Sequence, residues 1–302
     1  MKLIESKAEY LPQASGLEGV YKQIEKCGRT CYKSENKITE DSAKDFVDRM
    51  IKSSHTAMLE HGTVYIKLEN KPYNTPLDSE YYNTIDKYQK NKYSKVNAIP
   101  NFVCKDDIGN DVYTYAYYIT TNLRVLVENN WLDDLEYLCK PTEFHEKRYT
   151  MKFTCDRGVS HEVVRQREES FAQESQRFCN YLKDKFGMSV TFIQPDWVLK
   201  EDQNEFENDI KAVEQLYFKW INKGYKAEQA RYFLINGTKT EICVTGFASD
   251  WRYFLDLRFF GKTGRPQPDM FNLMQKTKAA MKKAGIWEDI MNQQSKFDSD
   301  GN

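Results

Sequence analysis

Residues 148–155, RYTMKFTC, place Tyr149, Met151, Phe153 and Cys155 on one side of an alternating run, and a short turn at Gly158 then leads into HEVVRQR, whose spacing is helical. Alternation of apolar and polar positions marks a strand with one face buried, and a switch to helical spacing straight after it marks a strand–turn–helix motif. The motif recurs, because EICVTG at 241–246 is followed by a helix over 250–260 with Ser249 as its cap and Gly261 as its stop. Ser160 is the expected N-cap of the first motif's helix. This pattern points to an α/β (α+β) fold with one mixed sheet flanked by helices.

Other segments fit that frame. Phe46, Val47, Met50 and Ile51 share a helical face over 41–53, introduced by Glu40 and Asp41, and Val64, Ile66 and Leu68 alternate in the strand TVYIKLE. Further helices are expected over 17–33, 120–131, 205–223 (closed by Gly224), 226–234, and from Pro268 to Lys283. Residues 70–110 are rich in Asn, Lys, Asp and Tyr with little periodicity beyond a hairpin turning at Gly109-Asn110. The expected organisation is one catalytic domain over 1–292, with an inserted elaboration at about 70–147 and a polar, frayed tail over 293–302.

Composition narrows the function. With 40% apolar and 29% charged residues the chain is globular, and 44 Lys plus Arg against 45 Asp plus Glu give no overall pull toward nucleic acid or anionic membrane. No apolar run approaches the roughly 18 residues of a membrane span, and MKLIESKAEY has no apolar signal core, so a cytoplasmic protein is expected. Seven scattered cysteines and four histidines lack the spacing of a zinc site, and no metal is expected; the cysteines read as reduced thiols, with Cys27 and Cys31 as buried neighbours one helical turn apart.

The densest polar stretch runs from Arg165 to Arg177, RQREESFAQESQR. Arginine forks and hydroxyls hold phosphate and carbonyl oxygens in fixed orientation. The same stretch also reads as a solvated helix face on which Arg165 and Glu169 pair one turn apart. Spacing leaves both readings open.

The order of residues in this stretch resembles the signature of the flavin-dependent thymidylate synthases: Arg-His-Arg, seven residues, then Ser. Arg165, Arg167, Ser175 and Arg177 take the matching places, with Gln166 where the family has histidine. Other matches follow in the family's order. His55-Thr56-Ala57-Met58-Leu59-Glu60-His61 resembles the family's flavin-holding turn, GRTCYKS its N-terminal element, Ala230-Arg231 with Leu234 its phosphate-contacting helix, and TGFASDWRYFLDLR the segment ending on a uracil-contacting arginine, here Arg258. The chain departs from the family at Gln166, at Phe247 where an Asn often lies, and at GKTGRPQPD (261–269).

The resemblance implies reductive methylation of dUMP to dTMP, with 5,10-methylenetetrahydrofolate as carbon donor, FAD as hydride carrier and NADPH as reductant, in a cytoplasmic homotetramer of the thymidylate synthase-complementing fold. It assigns Arg258 to catalysis. Glu162, Arg165, Gln173, Glu174, Ser175, Gln176, Arg177, Arg231 and Arg258 go to dUMP. To FAD go His55, Ala57, Glu60, Arg165, Gln166, Arg167, Gln173, Phe247, Ser249 and Tyr253. Blander readings stand beside these: His55 and His61 as turn residues, Arg258 against its own helix dipole, Arg231 paired with Glu228. Ser175 has no base in the motif to activate it and is assigned to binding. Rival functions are a single-stranded nucleic-acid binding protein, or a homologue that binds flavin and nucleotide without methyl transfer.

Overall fold

The computed structural model describes residues 1–69, 79–105 and 111–298. In chain order the elements are β1 (Lys2–Ile4), β2 (Lys7–Tyr10), α1 (Gly16–Tyr32), α2 (Ser42–Lys52), β3 (Thr63–Glu69), α3 (Ser79–Gln89), β4 (Lys95–Lys105), β5 (Asp111–Asn122), α4 (Leu123–Asn129), β6 (Arg148–Asp156), α5 (Arg157–Val163), β7 (Ser170–Gln173), β8 (Thr191–Ile193), α6 (Gln203–Asn222), α7 (Ala227–Ala230), β9 (Lys239–Phe247), α8 (Ala248–Arg258), α9 (Pro268–Lys283) and α10 (Trp287–Met291). The architecture is mixed α/β, as expected, but among the described residues the strands form three sheets and not the single one expected. The chain divides into two compact units: the first holds Met1–Leu11, Lys26–Lys37 and the chain from Thr150 onward, the second Pro12–Glu25 and Ile38–Tyr149.

The second unit is built on an antiparallel sheet of order β3-β5-β4. Val64, Ile66 and Leu68 are fully buried and face Thr121, Ile119 and Tyr117 across the ladder, so the alternation of TVYIKLE is the packing pattern itself. Phe46 and Val47 of α2 and Val20 and Ile24 of α1 close over the same core. Within the stretch at about 70–147, expected as an elaboration, Ile85, Tyr88, Ile119, Leu123 and Leu126 are buried in that core, the aliphatic ones contributing roughly 1.5–3 kcal/mol each of apolar transfer. Pro100, which cannot donate to a ladder, lies on the edge strand β4 beside its register shift. The strands flanking the expected hairpin turn pair from Lys105↔Asp111 inward, while Gly109-Asn110 lie outside the described residues. The helix expected over 120–131 starts later, because residues 120–122 remain in β5 and Asn122 caps α4 by accepting from Val125 N at 3.2 Å.

The first unit carries a four-stranded sheet of order β2-β6-β9-β7 and a two-stranded parallel pair, β1-β8. Met151, Phe153 and Cys155 of β6 are fully buried, and β9 is buried along nearly its whole length, as befits an interior strand. Trp251, Phe254 and Leu255 of α8 and Met270, Leu273 and Met274 of α9 add buried apolar side chains. A second cluster joins Cys179, Tyr181, Val190 and Phe192 to Ile210, Tyr217 and Ile221 of α6.

The tail departs from expectation up to residue 298. Ser295 is 1% exposed and donates to Asp256 Oδ2 at 2.6 Å, while Phe297 stacks on Tyr253 with ring centroids 5.8 Å apart. Asp256 is itself fully buried, and Ser295 supplies a hydrogen bond that its carboxylate requires. That bond holds the described part of the tail in place.

Candidate nucleotide and flavin site

Strand β6 ends at Asp156, whose side chain accepts from Val159 N at 2.8 Å and starts α5. Ser160, expected as the cap, sits inside the helix instead; its hydroxyl donates to Arg157 O at 2.9 Å and accepts from Gln173 Nε2 at 2.8 Å. Asp156 wins because it stands at the last extended residue, where a side-chain oxygen reaches the first free amides. At α8 Ser249 likewise lies within the first turn, but the cap position is Phe247, whose amide donates back to Asp250 Oδ2, inside the helix, at 3.1 Å.

The arginine-rich stretch is not a helix. After Val163 the chain turns through 164–169 and enters β7, which pairs with β9 in the register Ser170↔Thr245 to Gln173↔Ile242. Arg165 and Arg167 therefore point into solvent on an irregular turn, and among the described residues neither has an ion-pair partner; Gln166 between them is buried. Glu169 is buried too, with both carboxyl oxygens unpartnered among the described residues. A Cβ on Gly246 would stand 2.9 Å from Glu169 Cγ, so glycine there makes room for it. Burial, with Asp250 and Glu168 nearby, pushes the Glu169 carboxyl well above the usual range.

Past β7 the backbone is held tightly. Glu174 N donates to Glu241 O at 2.8 Å, Ser175 N donates to Cys31 O at 2.9 Å, and the Ser175 carbonyl accepts from Phe178 N and Cys179 N at 3.2 and 3.0 Å. Glu174, buried, is paired with Lys239 at 2.8 Å. Lys239 in turn meets Glu241 at 2.6 Å, and Glu241 also meets Lys33 at 2.9 Å and Lys152 at 2.5 Å. Burial alone would raise the Glu241 pKa, but the surrounding lysines hold it well below the usual carboxylate range. The side chain of Gln176 meets the buried Tyr181. Arg177 is exposed and pairs with Glu228 of α7 at 3.0 Å. That pairing replaces the Arg231–Glu228 alternative and leaves Arg231, exposed on the turn after α7, without an ion-pair partner among the described residues.

Arg258, at the end of α8, reaches across to α5: Nη1 donates to Glu162 Oε2 at 3.1 Å and Nη2 to Glu162 O at 3.2 Å. The two bonds fix the plane of the guanidinium, which its own helix dipole would not do. Phe247 is buried, and Tyr253 lies under Phe297 and under Lys296, whose Nζ is 4.5 Å from the ring centroid. His55, Ala57 and Glu60 belong to the second unit, on the turn around Thr56–His61; His55 and Ala57 are exposed, and Glu60 is ion-paired with Arg124.

Sequence reasoning passed over Arg157 and read Glu169 as a solvated partner of Arg165, whereas Glu169 is buried and, among the described residues, unpaired with it. Arg157 is half-buried, its pKa lowered by burial and by Arg231 nearby. A cation placed directly after a strand, at a helix start, is a signal that was legible in DRG.

A family model described as thymidylate synthase complementing protein matches residues 129–284. The flavin-dependent thymidylate synthase of Pyrococcus furiosus is 34% identical over 107 residues, 34% of this chain and 43% of that one. That of Geobacter sulfurreducens is 34% identical over 104 residues, with the same shares. The chain thus spans about two fifths of the length of these curated relatives. Among solved structures, a UMP/dUMP methylase from Streptomyces cacaoi bound with 5-bromo-dUMP is 12% identical, with 96% of each chain covered and a TM-score of 0.44. The matched family segment takes in β6, the arginine-rich turn, the held Ser175 loop, Arg231 and the Arg258–Glu162 pair, and it covers just over half of the 302 residues: the chain belongs to the thymidylate synthase complementing protein family.

Proposed function

We propose that this chain is a flavin-dependent thymidylate synthase, methylating dUMP to dTMP with 5,10-methylenetetrahydrofolate as carbon donor and FAD with NADPH as source of hydride, as a homotetramer in the cytoplasm. The observation that carries the reading is a set of exposed guanidinium groups, Arg165, Arg167 and Arg231, with no ion-pair partner among the described residues, grouped in the first unit with a rigidly held Ser175 and an oriented Arg258. Unpaired arginine forks suit oxyanions, and both FAD and dUMP are phosphorylated.

The donor set fits FAD. Arg165 and Arg167 offer forks to a pyrophosphate, and buried Gln166 offers an amide that donates and accepts but carries no proton charge. FAD, when bound, supplies the hydride. The chain's own groups do the rest. Arg231 and Arg177 hold the nucleotide phosphate, with Ser175 adding a hydroxyl. Arg258 sets a fixed positive charge against the uracil, where negative charge builds on the ring as carbon 5 becomes nucleophilic; a preoriented cation lowers that barrier without reorganising. Glu162 holds the Arg258 fork by side chain and backbone together.

The test is release of tritium from carbon 5 of labelled dUMP in anaerobic mixtures of FAD, NADPH and methylenetetrahydrofolate, omitting each in turn. Release that requires all of them is the expected result. Arg258→Ala abolishes release while FAD still binds; full activity in that variant removes Arg258 from the catalytic role.

A further inference from the structure

We propose that Arg157 is a further anion-binding residue of the nucleotide site, forming with Arg231 a two-arginine grip on the dianionic phosphate monoester of the substrate. This rests on reading the site as a nucleotide site.

The geometry begins with the backbone. Arg157 N donates to Asn236 O at 2.8 Å and to Thr238 O at 3.1 Å, and Gly158 N reaches the same Asn236 oxygen at 3.3 Å. The segment that leaves the Arg231–Phe233 turn is therefore stitched to the first residues of α5. Glu228, just before that turn, brings in the Ser175 loop through Arg177. Three arginines from three separate stretches of sequence thus gather around residues 228–238.

The charges do not balance there. Glu228 is taken by Arg177, and Glu174, the nearby acid, by Lys239. Among the described residues neither Arg157 nor Arg231 has an ion-pair partner, although Arg157 is half-buried. Arginines withdrawn from water are normally paired, because an uncompensated cation of low solvation is unfavourable, and a second cation beside it adds repulsion. Gln176 directs its side chain to Tyr181, which also neighbours Arg157. Two guanidinium groups close enough to repel each other, neither with an ion-pair partner among the described residues, are satisfied by an anion. The guanidinium fork matches the oxygens of a phosphate, and among the described residues no carboxylate forms an ion pair with Arg157 or Arg231.

The experiment is calorimetric titration of the full chain with dUMP, deoxyuridine and inorganic phosphate, for the natural sequence, Arg157→Gln and Arg157→Lys, with circular dichroism confirming that each variant is folded. The expected result is that Arg157→Gln weakens dUMP on the order of ten- to a hundred-fold, the size of one charge-assisted hydrogen bond, and leaves deoxyuridine unchanged. Arg157→Lys recovers part of the loss, and in turnover the KM for dUMP rises while kcat holds. An equal loss on dUMP and deoxyuridine, or no loss on either, overturns the inference while the nucleotide reading stands. If the natural chain binds inorganic phosphate but not dUMP, and Arg157→Gln loses the phosphate, the nucleotide reading fails and the arginine grip survives. Binding of neither ligand by the natural chain overturns both.

Discussion

Glu241 and Glu169 are buried to nearly the same degree, 9% and 6% exposed, on neighbouring runs of one sheet: Glu241 lies on β9, and Glu169 immediately precedes β7, its ladder partner. Around Glu241 stand Lys33, Lys152 and Lys239; around Glu169 stand Gly246 and Asp250, and among the described residues it forms no ion pair. The two carboxyls are driven in opposite directions, Glu241 downward and Glu169 upward. Burial pushes both carboxyls up; at Glu241 the lysines outweigh it, whereas at Glu169 burial prevails and Asp250 adds to it. Glu241 is held toward its charged form and Glu169 toward its neutral form, the latter within the turn that bears Arg165 and Arg167.

The sharpest way to break the comparison is to neutralise Glu241. Glu241→Gln leaves Lys33, Lys152 and Lys239 with the remaining carboxylates, Glu35 and Glu174, to share among them. Removing one member of a buried ionic network costs about 3–5 kcal/mol, so the urea midpoint should fall by that equivalent. An unchanged midpoint would show that the lysines reach water and that the network is a surface feature.

A smaller effect of opposite sign is expected at Glu169. An unpartnered buried polar group is a penalty of about 1–3 kcal/mol, and Glu169→Met, which keeps length and removes the polar atoms, should raise stability by that order at neutral pH. The pH dependence separates the two residues further. Glu169 has a folded pKa above its unfolded value near 4.3, so between the two the folded state keeps a proton that the unfolded state has lost, and stability falls as pH rises through that window. Glu241 has a folded pKa below its unfolded value, so its contribution is present above about 4.3 and is lost as pH falls through the window beneath. Unfolding free energies from acid to alkaline pH should lose their alkaline-side decline in Glu169→Met and their acid-side decline in Glu241→Gln. A decline on the alkaline side that persists in Glu169→Met would place its source elsewhere.

Neither environment was legible in the sequence, and the reason is distance along the chain. Strands were legible, because TVYIKLE and RYTMKFTC write their buried face in alternation, and β3 and β6 fall where that pattern puts them. Helix starts were less so: Ser160 and Ser249 look like caps, but Asp156 and Asp250 lie where the geometry needs an acceptor. The arginine-rich stretch has charge spacing that suits a helix, and only pairing with β9, seventy-five residues later at Ser170↔Thr245, turns it into an edge strand and its approach. The partners that define the candidate site are equally remote. Arg258 and Glu162 are 96 residues apart, and Arg177 and Glu228 are 51 apart. The residues themselves were visible through the family motif, whereas Arg157 lay outside that motif and needed the fold to show its company.

The smallest expected effect tests how local the Glu169 environment is. Glu168, its chain neighbour, is 64% exposed and ion-paired with Lys296 at 3.1 Å, yet its charge is among those that push Glu169 upward. Water screens an exposed charge, so Glu168→Gln should change stability by less than about 0.5 kcal/mol. It should also bring the alkaline-side decline to a close at slightly lower pH, because Glu169 then ionises more easily in the folded state. Raising the salt concentration should shrink even that difference. If instead Glu168→Gln removes the decline as completely as Glu169→Met, the elevation of Glu169 comes from an exposed neighbour and not from burial beside Asp250, and the contrast with Glu241 becomes one of surface charge.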